Sequence, residues 1–154
     1  MSGTAEIPLL VVMLEGRRFA FRLEHVQEVL PLAEPTPVPG WPRYGLGLLR
    51  VRGDVIPLVD LRTTLQLPDV TLNGTQKVVL VHADSRRWGI LVSAVTGVVE
   101  REVEKVGMVA PQPRLVRAEV SFEFASDPEG LMAVLDPTAL ILTLGLPLPP
   151  EAAA

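Results

Sequence analysis

The sequence contains no cysteine and few aromatic residues. With no cysteine among its 154 residues, the chain cannot form disulfides, thiolate nucleophiles or cysteine metal sites, which is compatible with the cytoplasm. Aromatic residues make up 5% of the chain, and the formal net charge is -4. Because proteins that bind nucleic acids use basic surfaces and stacking rings, we expect no nucleic-acid partner.

Long apolar runs are also missing. No run approaches the ~18 residues that a transmembrane helix needs, and no basic segment precedes the N-terminal apolar stretch, as a secretory signal would require. We therefore expect a cytoplasmic protein without membrane insertion. Hydrophobic residues still make up 48% of the chain against 21% charged residues. The apolar excess either fills a core rich in leucine and valine or binds partners.

No long stretch has the 3.6-residue period of an amphipathic helix. Short apolar and alternating runs are separated by turn residues, among them 15 prolines and 12 glycines, a pattern typical of an all-β protein. LLVVML (9–14) and RFAFRL (18–23) form a predicted hairpin, and residues 31–47 a proline-rich loop. Residues 101–120 are predicted to be irregular, and PTALILTL (137–144) to form a short C-terminal helix.

The chain contains an internal repeat. RRFAFRLEHVQEVL (17–30) aligns without a gap with RRWGILVSAVTGVV (86–99). A second match aligns VIPLVDL (55–61) with LMAVLDP (131–137). Each half therefore has a hairpin, a short strand, a loop, a late strand and an aspartate in the same order, which predicts two related small β-barrels.

Asp60 and Asp136, which the repeat aligns, are both predicted to cap short helical turns. Asp136 precedes Pro137, and aspartate followed by proline at the first helical position is a strong signal for a helix start. By alignment, Asp60 caps the turn LRTTL (61–65), and we interpret both aspartates as structural. Pro57 has no backbone N–H to donate, so strand 54–60 is predicted to lie at an edge or a bulge.

Few residue patterns point to catalysis. His25 and His82 lie in unrelated segments, no serine lies in a nucleophile-elbow motif, and no phosphate-binding loop occurs. We expect no metal site, no cofactor and no enzymatic activity. An alternative of a different class is a small-molecule-binding or hydrolytic β-barrel that uses Asp54, Asp60 or Glu28.

Glu28 and three arginines are the candidates for partner binding. Glu28 is a lone acid in the apolar segment VQEVLPL. Arg50 and Arg52 share one strand parity, so their side chains point to one face, and Arg62 follows the same motif. Arginine is common at protein interfaces, although a solvated sheet face would show the same pattern.

Residues 47–62, GLLRVRGDVIPLVDLR, resemble the CheW-like domain of bacterial chemotaxis, which has the pattern Gly-x-x-Asn-Leu-Arg-Gly-x-x-x-Pro-x-x-Asp-Leu-Arg. The segments VQEVLPL (26–32) and WGILVSAVTGVV (88–99) support the resemblance. Two residues depart from it: Arg50 stands where asparagine is usual, and Ser93 where aspartate is common. Residues 119–130 also lack the usual aromatic-x-x-Gly approach to the last strand.

The resemblance implies an all-β fold of two SH3-like five-stranded β-barrel subdomains, with short helical turns and a short C-terminal helix. It implies a single domain at residues 8–146 with approximate halves 18–75 and 76–146, between which terminal strands can be exchanged. Residues 147–154 are predicted to form a flexible tail.

The resemblance also implies a function. Domains of this family link the cytoplasmic tip of a chemoreceptor to the regulatory domain of a CheA-type histidine kinase, and they have no catalytic activity. The implied location is the cytoplasm at membrane-associated receptor arrays, where other CheW-like domains in rings are further partners. A specialised paralogue that binds receptors but not the kinase is an alternative of the same class.

The residues expected to bind partners are inferred from the resemblance together with the sequence pattern. They are Val26, Glu28, Leu30, Trp41, Tyr44, Gly47, Arg50, Arg52 and Arg62. Glu28 and Arg52 are expected to pair at a groove between the barrels, where the family's receptor hairpin lies. Trp41 and Tyr44 are expected to face solvent and contact the kinase, unless Trp41 plugs the end of its own barrel.

Overall fold

The computed structural model of the chain describes residues 5–62, 67, 72–83, 85–108 and 120–144. These residues form ten strands, one 3₁₀ turn (Leu23–His25) and one α-helix. The strands are β1 (Glu6–Leu14), β2 (Arg17–Arg22), β3 (Val26–Pro31), β4 (Gly45–Val51), β5 (Asp54–Val59), β6 (Lys77–Ala83), β7 (Arg86–Val92), β8 (Ala94–Met108), β9 (Val120–Asp127) and β10 (Gly130–Leu135), and the helix is α1 (Pro137–Leu144).

The strands form two five-stranded sheets. Sheet A is a closed barrel in the order β1-β2-β10-β9-β8, and sheet B has the order β3-β6-β7-β5-β4. Neighbours are antiparallel except for β2 with β10 and β5 with β7, which are parallel. The predicted all-β fold of two five-stranded units with a short C-terminal helix is therefore confirmed. The predicted tail at 147–154 lies outside the described residues.

The two repeats exchange their hairpins. Sheet A joins the first hairpin, β1–β2, to β8, β9 and β10 of the second repeat, and sheet B joins the second hairpin, β6–β7, to β3, β4 and β5 of the first. The sheets thus divide the chain differently from the predicted halves 18–75 and 76–146, because β6 and β7 follow residue 75 and complete sheet B.

The pairing register preserves the repeat at the level of single residues. In sheet B, Leu58 lies opposite Gly89 in the parallel ladder. In sheet A, the aligned residues Val134 and Ala20 lie opposite each other. Residues that the sequence repeat aligns therefore occupy equivalent pairing positions in the two sheets.

Two of the hairpins have two-residue turns in which both residues adopt positive φ. Glu15 and Gly16 have φ values of 49° and 80°, and Arg52 and Gly53 have 48° and 87°. This is the backbone of a type I′ turn, whose twist matches that of the flanking strands. A non-glycine residue pays conformational strain at the first position, so both Glu15 and Arg52 are held there despite a local cost.

Of the two predicted positions for Pro57, an edge or a bulge, the edge is wrong, because β5 is a central strand, but a β-bulge in the pairing of β4 with β5 lies next to Pro57. β5 has β4 and β7 as neighbours, but its ladder with β7 begins only at Leu58. On the other side, the backbone N–H and C=O of Leu48, which lies opposite Pro57, bond to Thr36 at 2.8 and 2.9 Å. The missing N–H of Pro57 therefore leaves no ladder position unfilled.

Residues 101–108 continue β8 and are not irregular as predicted. They pair with β9 from Val103 to Met108, and this extension closes sheet A. Residues 109–119, the rest of the predicted irregular segment, lie outside the described residues.

Three apolar clusters hold the molecule together. One lies inside sheet A and includes Leu9 and Met132, and a second inside sheet B includes Ile56 and Leu80. The third joins β1 and β2 of sheet A to β5, β6 and β7 of sheet B, with Ile141 of α1 packed into it. None of the helices within the described ranges has the length and apolarity needed to cross a lipid bilayer.

Candidate functional site

The exposed feature that stands out is an ion pair between Glu28 and Arg52. The Nη2 of Arg52 donates a hydrogen bond to Oε2 of Glu28. Glu28 lies on β3 and Arg52 follows β4, and these are the two edge strands of sheet B. The pair therefore spans the open side of that sheet.

A β-bulge and a turn position the two side chains. The pairing of β3 with β6 shifts register between Val26 and Glu28, and such a bulge redirects the side chains beside it. Arg52 occupies the first position of the β4–β5 turn, where its φ of 48° projects the side chain from the tip of the hairpin.

The pair remains accessible to a partner. The Arg52 side chain is 65% exposed and that of Glu28 is 28% exposed. The hydrogen bond from Arg52 lowers the pKa of the Glu28 carboxyl below its ordinary value, and the charge of Arg87 adds to this effect. Both groups therefore carry full charge at neutral pH.

A second ion pair lies in the same sheet and has a counterpart in sheet A. Arg87 of β7 pairs with Asp54 at the start of β5. Arg18, which the repeat aligns with Arg87, pairs with Asp127 at the turn between β9 and β10. In both sheets, therefore, an arginine of the hairpin forms an ion pair with an aspartate beside the facing turn.

The Glu28–Arg52 pair has no such counterpart. The repeat aligns Glu28 with Gly97, and the turn residues between Asp127 and Gly130 place Pro128 where sheet B has Arg52. One sheet therefore carries a charged pair that the equivalent sheet lacks.

Val26, Leu30 and Arg50 lie around this pair. Val26 packs against the cluster between the sheets, and Leu30 against the cluster inside sheet B. Arg50 is exposed, and its Nη1 donates to the Gly53 carbonyl at 3.4 Å. An exposed valine, Val29, follows Glu28 directly.

Trp41 and Tyr44 do not form the predicted solvent-facing pair. Both are partly buried and pack against the apolar cluster between the sheets. Burial raises the pKa of the Tyr44 hydroxyl, and the Tyr44 carbonyl accepts a hydrogen bond from the Asp60 amide at 2.8 Å. The loop thus packs against the molecule's own core, because its aromatic side chains bury more apolar area there than in water.

Gly47 is buried and has a structural role that the sequence did not predict. A Cβ at this position would lie 2.7 Å from the carbonyl carbon of Thr36 and still closer to its oxygen. Its φ of 137° also lies in the region that favours glycine. Gly47 therefore shapes the sheet beneath the site and offers no side chain to a partner.

Arg62 is not a surface residue as predicted. It is 2% exposed and Asp60 is 7% exposed. The Asp60 carboxylate accepts hydrogen bonds from Nε of Arg62 at 2.9 and 3.0 Å and from Nη2 at 2.7 Å. A second carboxylate, that of Glu15 in the β1–β2 turn, accepts from Nη1 at 3.2 Å.

The two aligned aspartates share one backbone contact and differ in the rest. Asp60 accepts from the Arg62 amide at 2.9 Å, and Asp136 from the Thr138 amide at 3.0 Å. Asp136 also accepts from Ala139 at 3.3 Å at the start of α1, as a cap does. Asp60 thus makes the capping bond to the second residue of its turn and also binds a buried guanidinium, which the sequence did not predict; residues 63–66 of the predicted turn lie outside the described residues.

The acidic residues considered for catalysis do not form a pair. Asp54 is the first residue of β5 and Asp60 follows the strand, so the six-residue separation along it places them roughly 20 Å apart. Each of Glu28, Asp54 and Asp60 is engaged by a different arginine. Among the described residues, no three histidine or acidic side chains lie close enough together to hold a metal ion.

Comparison with known proteins gives the family. The profile of the CheW-like domain matches residues 8–144. The chain belongs to the CheW-like domain family. The chemotaxis protein CheW of Bacillus subtilis is 28% identical over 146 residues, which cover 90% of this chain and 91% of that protein. The chemotaxis protein CheW of Rhizobium meliloti is 26% identical over 105 residues, 66% of this chain and 68% of that protein.

A solved structure has the same fold. The crystal structure of scaffolding protein TtCheW from Thermoanaerobacter tengcongensis superposes with a TM-score of 0.75 at 19% identity. The match covers 88% of this chain and 92% of that one. At this identity the likeness shows the CheW-like fold and no more.

Of the residues expected to bind partners, the structure brings Glu28 and Arg52 into contact and leaves both accessible. Val26 flanks them, and Gly47 supports the sheet from within. The sequence did not reveal the partly buried group formed by Glu15, Arg62 and Ser93. The glutamate followed by glycine at a hairpin turn was its one visible signal.

Proposed function

We propose that this chain is a non-catalytic adaptor that couples chemoreceptors to a CheA-type histidine kinase in a chemosensory array. Membership of the CheW-like family supports an adaptor role in chemotaxis. The relatives are named chemotaxis proteins, and the structure with the same fold is described as a scaffolding protein.

The observation that carries the proposal is the Glu28–Arg52 pair. An exposed ion pair contributes little to stability because water and salt screen it. A turn residue held at positive φ lowers stability further. A charged unit that is costly locally and absent from the equivalent sheet is best explained by binding, where partial desolvation makes such pairs strong determinants of affinity.

The proposed binding surface is centred on that pair. Val26, Leu30 and Arg50 complete it. Gly47, Trp41, Tyr44 and Arg62 support the surface from beneath and do not contact the partner. The receptor tip, a helical hairpin, would lie against this surface.

The proposed domain is one unit of residues 8–146 that acts in the cytoplasm at receptor arrays. The apolar cluster shared by both sheets supports joint folding of the two barrels. An enzymatic role for Asp54 or Asp60 is disfavoured, because the two lie at opposite ends of β5 and each is held by its own arginine.

A paralogue that binds receptors without the kinase is the second candidate. Arg50 favours it, since an exposed arginine beside Arg52 adds positive charge where asparagine is usual in the family. Such a change alters the preference for a partner through charge complementarity.

Calorimetric titration of the whole chain with a receptor cytoplasmic fragment and, separately, with a CheA regulatory domain tests the proposal. Binding of both is the expected result, with Glu28→Gln weakening receptor binding by at least about tenfold. Arg18→Gln, which removes an ion pair of sheet A, is the matched control and should bind as the wild type does. Binding of the receptor fragment alone would mean that the chain is the paralogue that binds receptors without the kinase. Binding of neither protein would overturn both candidate functions.

A further inference from the structure

A partly buried polar network joins the two sheets. Glu15 lies in the β1–β2 turn of sheet A, and Arg62 follows β5 of sheet B. The Nη1 of Arg62 donates to Oε1 of Glu15 at 3.2 Å. Ser93, in the link between β7 and β8, donates its hydroxyl to the same Oε1 at 3.2 Å and accepts from the Glu15 amide at 3.2 Å.

The network is anchored in each sheet by separate contacts. On the side of sheet B, Asp60 binds the guanidinium of Arg62 through two of its nitrogens. On the other side, the Ser93 amide donates to the Met13 carbonyl of β1 at 2.8 Å. Glu15 is the residue through which the two halves of the network meet.

Three features show that this network is more than local turn structure. Glu15 is held at a φ of 49°, a position that asparagine or glycine fills with less strain. Its side chain points inward and is 16% exposed. The second repeat has Thr138 where the first has Arg62, so the network is not required to form a barrel of this type.

The apolar cluster between the sheets supplies attraction but little directionality, because hydrophobic contact is non-directional. Hydrogen bonds and ion pairs have preferred geometry, and a buried ionic group can fix one arrangement among several similar ones. We propose that Glu15 is a positioning residue that fixes the orientation of sheet A relative to sheet B through Arg62 and Ser93.

This inference concerns the whole molecule's geometry and does not depend on the proposed partners. It predicts that loss of the Glu15 carboxylate leaves each barrel folded, since the clusters inside them contain neither Glu15 nor Arg62. The orientation between the barrels should then be less well defined.

The test is an inter-sheet distance measured by pulsed electron spin resonance. The chain has no cysteine, so Lys77→Cys in sheet B and Ser126→Cys in sheet A, both at exposed positions, accept spin labels at those two sites alone. Glu15→Asn is the decisive variant, because Asn-Gly is the preferred type I′ sequence and keeps the turn, while its short neutral side chain cannot reach Arg62.

The expected result is loss of the single narrow distance peak in Glu15→Asn, with an unchanged circular dichroism spectrum. Ser93→Ala should broaden the peak less, since it removes a neutral partner. Arg18→Gln is the control, because Arg18 and Asp127 form an ion pair confined to sheet A; it should leave the distance peak unchanged. A narrow peak in folded Glu15→Asn, or equal broadening in Arg18→Gln, would overturn the proposal.

Discussion

Asp60 holds the guanidinium of Arg62 through hydrogen bonds to two of its nitrogens, and both side chains are buried. Breaking a buried pair leaves a charge without full compensation, which is a large penalty. Asp60→Asn should therefore lower the free energy of unfolding by about 3 kcal/mol, although asparagine caps a helical turn as well as aspartate does. Urea denaturation monitored by circular dichroism measures this.

Asp136→Asn is the matched control for that change. Asp136 is exposed and bonds to backbone amides, so the substitution should alter the unfolding free energy by less than about 0.5 kcal/mol. Equal effects of the two substitutions would mean that Asp60 acts as a simple cap after all.

Gly47 should tolerate no side chain. Gly47→Ala places a methyl group against the backbone of Thr36 and forces alanine to a φ of 137°, which together should cost about 3 kcal/mol. Gly53→Ala has a similar backbone requirement but no atom within 4 Å of the new Cβ, so it should cost about 1 kcal/mol. Thermal unfolding of both variants checks this order, and a Gly47→Ala protein as stable as Gly53→Ala would contradict the steric argument.

Arg52→Asn should separate stability from function. Asn-Gly is the preferred sequence of a type I′ turn, so the melting temperature should rise even though the contact with Glu28 is lost. Receptor binding should fall for the same reason. Arg50→Gln is the control, because it removes one positive charge, as Arg52→Asn does, but keeps the contact between Arg52 and Glu28. It should leave the melting temperature unchanged. A lower melting temperature in Arg52→Asn would show that the ion pair, and not the turn, dominates this hairpin.

Acid should destabilise sheet A through two carboxylates. The hydrogen bond from Arg18 lowers the pKa of Asp127, and that from Arg22 lowers the pKa of Glu123. A carboxyl with a lowered pKa in the folded state stabilises it fully above its unfolded pKa of about 4. That contribution is lost as the pH falls through the folded pKa, because the unfolded chain then binds more protons.

The free energy of unfolding should therefore fall steadily below about pH 4.5. In Arg22→Gln the pKa of Glu123 returns toward its ordinary value, so stability at neutral pH should be lower and the fall with acid shallower. Urea denaturation at a series of pH values measures both. An unchanged slope in Arg22→Gln would remove Glu123 from the explanation.

The alternating apolar pattern and the repeat were sufficient to predict two related small β-units, of which sheet A is a closed barrel and sheet B a five-stranded sheet. The pairing of Leu58 with Gly89 and of Val134 with Ala20 confirms the repeat. The exchange of hairpins was anticipated only from the family resemblance, because each hairpin presents the same apolar pattern to either repeat. Register and pattern alone do not choose between two equivalent partners.

The role of a site residue was predictable where it follows from the local sequence. It was not predictable where it depends on contacts with residues far away in the chain. Glu28 was visible as an acid within an apolar segment, and its partner Arg52 as part of a motif. Arg62 carries the same charge in the same motif but is buried, because Glu15 reaches it from a turn 47 residues away. Trp41 likewise packs on a core assembled from both sheets, which the loop sequence does not reveal.

The charge swap at Glu28 and Arg52 tests the central claim most directly. Kinase activity is measured in arrays reconstituted from receptor, CheA-type kinase and this chain, with Glu28→Arg, Arg52→Glu and the double variant compared at equal occupancy. Each single variant, folded as judged by thermal unfolding, is predicted to lose kinase activation by at least about tenfold. The double variant is predicted to recover part of it, because the two charges contact each other. Normal activation by both single variants would contradict the account.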